Sequence, residues 1–188
     1  MLFRSQTKFQ GEQKALTNFK GTVIIRPSVV CGTEDNFTNL FAKLSMFPVI
    51  PVVGINYKFQ PIMVNDVAKA IMRSIKTKNN EGKIYEIGGN KIISFGDMVK
   101  LIMTTINKKR LVIEMPMPLA KIQATLLSLL PIPPILTTDQ CKILSEDDNI
   151  VSNSHLTLKD LGIEPEDVEK QMSKWLWRYR SGGEFAKT

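Results

Sequence analysis

The chain has few of the residues on which small stapled folds and metal centres depend. Its 188 residues include two cysteines and one histidine. These numbers exclude a disulfide scaffold and any mechanism that needs two histidines, and the two cysteines lack metal-ligand spacing. We interpret Cys31 and Cys141 as reduced thiols of the core in a cytosol-like compartment. The longest apolar stretch, around 126–136, is interrupted by three prolines, and it is too short to span a bilayer.

A glycine motif and a concentrated basic patch are also absent. No Gly-x-Gly-x-x-Gly occurs, and that turn is what lets a backbone approach a dinucleotide pyrophosphate. The net charge of +7 comes from 25 basic and 18 acidic residues. The lysines are scattered, apart from the run 108–110, and no recognition helix or zinc finger accompanies them, so we do not predict nucleic-acid binding. The basic residues 1–8 could imitate a transit peptide, but they fit better as part of a helix.

Segments with strand character alternate with segments of helical periodicity through the first 110 residues, which is typical of an α/β fold. Val23–Ile25 predicts a strand buried on both faces, and Phe47–Val53 predicts an extended segment that lines a surface. The other predicted strands are 60–64, 83–87 and 111–113. The predicted helices are 5–19, 36–46, 67–75 with Asn65 or Asp66 as its cap, one opened by Ser94 and Asp97 as a capping box, 119–130, and one opened by Glu164 and Pro165.

This pattern predicts two regions, 1–110 as the α/β part and 111–188 as a helical C-terminal part. Residues 115–136 are rich in methionine, leucine and proline. Such a segment either packs into a core, its commoner use, or lies on a partner or a membrane surface.

Four short motifs carry a resemblance to a known family. They are Lys8-x-x-Gly11-Glu12, Ile24-Ile25-Arg26-Pro27-Ser28, Gln60-Pro61-x-x-Val64-x-Asp66-Val67 and Asp160-Leu161-Gly162-Ile163. Together they resemble the extended short-chain dehydrogenases, which are similar to NAD-dependent epimerases and dehydratases. The atypical branch with the Rossmann-type accessory subunit of respiratory complex I and its bacterial relatives matches best. The resemblance implies a partial Rossmann-like sheet, whose N-terminal half is missing, with a smaller helical substrate-type region at the C-terminus.

The resemblance also points to remnants of a cofactor site. In the family, a tyrosine four residues before the lysine is the general acid/base, and the lysine lowers its pKa and touches the nicotinamide ribose. Lys8 matches the lysine, but Arg4 stands in the tyrosine position, and arginine cannot act as a base. We therefore predict no catalytic residue and no metal. Lys8 and the turn Pro27-Ser28-Val29 are candidate cofactor contacts; their alternatives are a solvated helix residue and a simple turn.

Two further positions fall where the family enters its substrate-facing region, Gln60 and the pair Asn65-Asp66. We expect Asp66 to cap a helix and not to act as a catalytic acid. The cofactor of the family is NAD(P), and we expect this chain alone not to bind it.

The resemblance implies a non-catalytic structural or assembly role in NADH:ubiquinone oxidoreductase. The expected partners are respiratory complex subunits or a complementary N-terminal fragment, on the bacterial cytosolic or mitochondrial matrix side of the membrane. The alternative is an NAD(P)-dependent reductase or nucleotide-sugar epimerase that works with the missing half. A decayed gene, a split gene and a truncated reading remain open explanations. Without neighbours, the strands at 23–25 and 83–87 would leave apolar edges, so the isolated chain should be poorly soluble or partly molten.

Overall fold

A computed structural model describes residues 3–116, 118–119, 149–152 and 154–184. The chain divides into two compact units, each built from three separate stretches of sequence. Unit 1 consists of 1–31, 60–92 and 149–168, and unit 2 consists of 32–59, 93–148 and 169–188. The helix predicted over 119–130 and the thiol of Cys141 lie outside the described residues.

Helices and short strands alternate along the described chain. The helices are α1 (Phe3–Asn18), α2 (Asn36–Leu44), α3 (Val64–Lys76), α4 (Phe95–Thr105) and α5 (Val168–Leu176), with 3₁₀ turns at Lys159–Leu161 and Trp177–Tyr179. The strands are β1 (Ile24–Pro27), β2 (Val30–Cys31), β3 (Val49–Val52), β4 (Lys58–Phe59), β5 (Ile62–Met63), β6 (Ile84–Ile87), β7 (Ile93–Ser94) and β8 (Leu111–Glu114).

Unit 1 is built on parallel strand pairs. β1 pairs with β6, with Ile24 opposite Ile84 and Pro27 opposite Ile87, and β2 pairs with β5. Each fully buried aliphatic side chain contributes roughly 1.5–3 kcal/mol. The core of the unit consists of Ile62, Ala70, Tyr85, Ile87, Leu158, Leu161 and Ile163.

Two predictions for unit 1 are wrong in detail. The strand at 23–25 was expected to be buried on both faces, but β1 is only half-buried and its last residue is exposed. The reason is that β1 pairs with a described strand along one edge only. The single strand predicted over 60–64 is instead β5 alone, because Gln60 and Pro61 lie outside any strand and proline has no N–H to donate to a ladder.

Unit 2 contains a parallel pair, β3 with β8, and an antiparallel pair, β4 with β7. Phe47–Val53 was expected to be extended and to line a surface, and this holds for alternate residues only: Val49 and Pro51 are exposed, whereas Ile50 and Val52 are buried. Ile50 and Val52 are 0% and 1% exposed, because β3 pairs with β8 and turns alternate side chains inward. A cluster of Phe37, Phe41, Phe59 and Phe95 has ring centroids 5.3–6.3 Å apart.

The predicted capping box of α4 is confirmed. The Ser94 hydroxyl oxygen accepts the Asp97 N–H at 3.1 Å and donates to the Asp97 carboxylate at 2.7 Å. The first of these bonds satisfies one of the N–H groups that a helix leaves unpaired at its start. The second bond, which the Ser94 hydroxyl donates to the carboxylate, lowers the pKa of Asp97, with the ammonium of Lys100 as a further cause.

The helix predicted to open at Glu164 and Pro165 begins three residues later, at Val168. The Glu166 N–H donates to the Asp66 carboxylate at 2.7 Å, and this bond holds the segment before the helix. The expected apolar stripe is nevertheless confirmed as buried: Val168, Met172, Trp175, Leu176 and Tyr179. Among the described helices, none combines the length and the hydropathy that crossing a bilayer requires.

Candidate functional site

The predicted remnants of a cofactor site lie on two elements of unit 1. Lys8 is on α1 and is exposed. Arg4 is on the same helix. The turn Pro27-Ser28-Val29 follows from β1, with Pro27 exposed and Ser28 only 7% exposed. Among the described residues, no hydrogen bond joins Lys8 to this turn.

Several polar groups of the turn are bonded within the chain. The Ser28 N–H donates to the Ile87 carbonyl at 2.9 Å. The Ser28 hydroxyl donates to the Asn149 carbonyl at 3.1 Å and accepts the Gln60 N–H at 3.2 Å. The Val29 carbonyl accepts the Ile62 N–H at 2.9 Å. Three groups that could have met a ligand are therefore satisfied by the protein itself.

The side chain of Gln60 also makes hydrogen bonds within the chain. The family resemblance places this residue where the family enters its substrate-facing region. Its side-chain amide donates to the Gly89 carbonyl at 2.6 Å, and its amide oxygen accepts the Val151 N–H at 3.3 Å. A Cβ on Gly88 would lie 2.7 Å from a Val151 methyl, and one on Gly89 would lie 2.0 Å from the Pro61 carbonyl oxygen. The two glycines thus allow the chain to pack directly onto the ends of β1 and β6.

We call Ser28, Gln60, Gly88, Gly89 and the main chain of Asn149 the carboxyl-end cluster. In open α/β sheets, ligands bind in the crevice beyond the carboxyl ends of the parallel strands. Here the carboxyl-end cluster fills that position with internal hydrogen bonds and close glycine contacts. These internal bonds leave fewer polar groups of the turn for a nicotinamide, the cofactor role of the turn stays a prediction, and no step of a hydride transfer is derived.

A second polar group of unit 1 centres on Arg26, which the sequence analysis did not single out. Its guanidinium contacts Glu12 of α1 through bonds of 2.7–3.3 Å, and Glu86 of β6 at 3.1 Å. Register explains the second contact, because Arg26 lies opposite Glu86 in the parallel pair. Opposite charges at paired positions of two predicted strands are the signal that could have revealed it. The hydrogen bond that Arg26 donates to Glu12, together with the one it donates to Glu86, raises the pKa of Arg26 against the opposing effect of burial.

Glu86 also contacts the segment that follows residue 149. The Ser152 hydroxyl and N–H donate to one carboxylate oxygen at 2.6 and 3.1 Å, and His155 Nδ1 lies 3.1 Å from the other. Burial raises the pKa of Glu86, but the hydrogen bonds from Ser152 and Arg26 outweigh burial and the net pKa is lowered. Ser154 Oγ also meets His155 Nδ1, at 3.0 Å. Because serine and carboxylate meet the same ring nitrogen, this is not a nucleophile–base–acid relay.

Asp66 does not cap a helix, which corrects that expectation. α3 begins at Val64, and its cap position Met63 makes no side-chain bond. Asp66 is 0% exposed; one carboxylate oxygen accepts the Glu166 N–H at 2.7 Å and the other pairs with Lys69 at 2.9 Å. Lys69 also pairs with the Glu166 carboxylate at 2.8 Å. The buried acid therefore fastens the segment before α5 onto α3.

Metal chemistry finds no support in the described part of the chain, where no group of three or more His, Cys, Asp or Glu side chains could hold an ion. Cys31 is buried and is not part of a disulfide. Asp35 caps α2, because its carboxylate accepts the Thr38 N–H at 2.5 Å.

No family model matches the chain. Curated relatives cover nearly all of it. It is 29% identical over 95% of its length to the mitochondrial NADH dehydrogenase [ubiquinone] 1 alpha subcomplex subunit 9 of Arabidopsis thaliana, and 30% identical over 94% to that of Rattus norvegicus. It is 28% identical to the mitochondrial NADH-ubiquinone oxidoreductase 40 kDa subunit of Neurospora crassa. The chain spans about half the length of these relatives, 47% in each case.

Solved structures confirm the fold class. The dTDP-4-dehydrorhamnose reductase of Bacillus anthracis, in complex with NADP, matches 90% of this chain with a TM-score of 0.63 at 18% identity. The dTDP-glucose 4,6-dehydratase of Bacillus anthracis, in complex with NAD, matches 90% with a TM-score of 0.58 at 15% identity. The chain covers 52% and 48% of these structures. The α/β, Rossmann-like fold predicted from the sequence is therefore confirmed.

Proposed function

Since the chain is related to the dehydrogenase-like accessory subunits of complex I, we propose that it is a non-catalytic structural or assembly component of a respiratory NADH:ubiquinone oxidoreductase. The carboxyl-end cluster carries this proposal. Its hydrogen bonds occupy the position in which related folds hold a ligand, so the fold is kept while the crevice is closed.

The absence of a proton donor at the expected position supports the same role. Arg4 stands four residues before Lys8, and a guanidinium stays protonated throughout the useful pH range. No tyrosine precedes Tyr57, so a shift of alignment does not restore the pair. A reductase or epimerase that uses this chain would need a proton donor and a dinucleotide-binding glycine motif that are not among these 188 residues.

The proposed location follows from the proposed partners. The curated relatives are mitochondrial by name. We place the chain on the inner face of the energy-transducing membrane, facing the matrix or the bacterial cytosol, and in contact with other subunits of the complex.

The test is co-migration of the chain with the complex. The chain is tagged and expressed at its native level, the membranes are dissolved in mild detergent, and the extract is separated on a native gel. We expect the tag to coincide with the band that oxidises NADH. A tag found only at low mass in the membrane-free fraction, while the active band is intact, would contradict the proposal.

A further inference from the structure

Unit 2 has an exposed apolar surface that is bordered by lysines. We propose that this surface docks onto a bilayer that contains anionic phospholipid, with its apolar side chains among the acyl chains and its lysines at the phosphates. The inference rests on the proposed function and deepens it by naming the surface through which the chain contacts the membrane.

One face of the β3–β8 pair consists of apolar side chains that are exposed. Val49 lies opposite Leu111 in the parallel register. Pro51 lies opposite Ile113, and because side chains alternate along a strand, these four residues share one face of the pair. Leu111 is 62% exposed, whereas Ile50, which alternates to the other face, is buried. We call Val49, Pro51, Leu111 and Ile113 the outer face.

The segment between α2 and β3 extends this apolar surface. It contains Met46 and Phe47, whose side chains are 58% and 51% exposed. The Leu111 N–H donates to the Pro48 carbonyl at 3.1 Å, and this bond holds the segment against the start of β8. Single exposed apolar residues are ordinary, but a group of them on two hydrogen-bonded stretches marks an interaction site.

Two lysines border the same surface. Lys43 lies in the last turn of α2, and its carbonyl accepts the Met46 N–H at 3.2 Å. Lys109 lies two residues before Leu111. Both side chains are exposed, and neither has a hydrogen bond or an ion pair within the described part of the chain. The acid of β8, Glu114, belongs to the face opposite the outer face, because side chains alternate along the strand.

The neighbouring cations have a structural explanation that the two lysines lack. Lys108 Nζ donates to the Ser45 hydroxyl at 3.1 Å, and Arg110 Nε donates to the Ser45 carbonyl at 2.7 Å. Both therefore serve the C-terminal end of α2. The acids of the two helices lie at the opposite ends, since Asp35 caps the start of α2 and Asp97 lies in the first turn of α4. The end that carries the apolar surface is therefore positively charged.

An anionic bilayer fits this combination better than an acidic protein does. Lysine is depleted at protein interfaces, whereas each lysine near a bilayer with anionic lipid strengthens binding by about fivefold. The apolar side chains of the outer face need no hydrogen-bonding partner, and acyl chains offer none. Aliphatic side chains flanked by lysines are the combination with which peripheral proteins lie in the bilayer interface.

The experiment is co-sedimentation of the purified full chain with vesicles of phosphatidylcholine that contain about 30% phosphatidylglycerol. We expect binding that is at least about tenfold weaker on vesicles of phosphatidylcholine alone. Lys43→Gln combined with Lys109→Gln should weaken binding to the anionic vesicles by about 25-fold, because two charges at the phosphates are lost. Leu111→Ser should weaken it by about tenfold, because an aliphatic side chain no longer enters the acyl region.

Matched control variants change the same chemistry in unit 1. Lys76→Gln combined with Lys78→Gln removes the same charge from two exposed lysines, and Ile92→Ser replaces an apolar side chain that is 54% exposed. Binding of both controls should stay within about twofold of the parent.

The proposal is overturned by equal losses in the matched variants, which would mean that net charge alone attracts the chain. Equal binding to the two kinds of vesicle, or no binding to either, would also overturn it. So would a dimer of this chain that Leu111→Ser dissociates and that does not bind vesicles, because the outer face would then be covered by a second copy. Co-migration with the respiratory complex is scored separately, so either proposal can fail without the other.

Discussion

The β6 side and the β1 side of the two-stranded sheet in unit 1 differ in how far other described residues bond to them. Residues 149–166, which we call the closing segment, contact the carboxyl ends of the strands, Glu86 and the far edge of β6. The other edge of β1 pairs with no described strand, and a groove of about 480 Å³ is lined both by Val23, Ile25, Ile71 and Ile75 and by the polar residues Ser74, Thr77, Asn80 and Glu81. The contrast teaches that polar groups at the carboxyl ends of the strands are bonded within the chain, whereas one edge of β1 pairs with no described strand.

The largest loss of stability is expected from a substitution at Gly89, a close contact of the carboxyl-end cluster. Gly89→Ala places a Cβ 2.0 Å from the Pro61 carbonyl oxygen, which is main chain and cannot rotate away. We expect a loss of about 3 kcal/mol in the free energy of unfolding, measured by urea denaturation. Gly11→Ala is the control, because α1 has open space there. That variant should be as stable as the parent or up to about 1 kcal/mol more stable. Equal losses in the two variants would show that the close packing at Gly89 is not important.

The next largest effect should come from the buried acid that fastens the closing segment. Asp66→Ala leaves the Glu166 N–H without its partner and removes one partner of Lys69. We expect a loss of about 2 kcal/mol in unfolding free energy. Asp97→Ala tests the same kind of pair on the surface, since Asp97 pairs with Lys100 three residues later and its side chain is 63% exposed. A loss below about 1 kcal/mol is expected there. A smaller loss for Asp66→Ala than for Asp97→Ala would refute the assigned role.

Acid should loosen the contact between Glu86 and the closing segment. The pKa of Glu86 is lowered in the folded chain, so its contribution is present above the unfolded value of about 4.3 and is lost as pH falls through the folded value. Glu86→Gln should therefore be about 1 kcal/mol less stable than the parent at pH 6, and the gap should shrink as the pH falls towards 3. Urea midpoints across this range measure it. A gap independent of pH would mean that the charge of Glu86 contributes nothing.

A substitution in the groove that contains Ile75 should have little effect on the stability of the isolated chain. Ile75→Glu replaces a side chain that is 75% exposed, so unfolding free energy should change by less than about 0.5 kcal/mol. Self-association should fall, because a charge beside an open edge discourages non-specific pairing. Light scattering at increasing concentration measures it, with Ile92→Glu as control. A marked loss of stability for Ile75→Glu would show that the groove is already filled in the isolated chain.

The sequence predicted local structure where a few neighbouring residues decide it. The Ser94–Asp97 cap and the stripe containing Met172 and Trp175 are set by spacing within one or two helical turns. The pairing of β3 with β8 joins residues about 60 positions apart, and no local pattern encodes it. Asp66 was expected to cap its own helix because its position resembles a cap, but its carboxylate meets the Glu166 N–H, 100 residues later.

The candidate site could also be predicted only in part, because its hydrogen bonds join residues far apart in the sequence. Motif resemblance placed the turn at Ser28 and pointed to Gln60. Which groups those residues bond depends on the closing segment, whose approach to Ser28 spans 121 residues. The roles of Lys8 and of Pro27-Ser28-Val29 towards a cofactor stay predictions, and so does the poor solubility of the isolated chain.

Amide exchange along the full chain, with and without about 1 mM NADPH, tests the closed crevice and the open edge together. We predict that the bonded amides of Ser28 and Gln60 are protected and that NADPH does not change them, while the Ile25 amide exchanges quickly in both samples. Slower exchange at Ser28 and Val29 on addition of NADPH would contradict the account, because it would mean that the crevice opens and binds nucleotide.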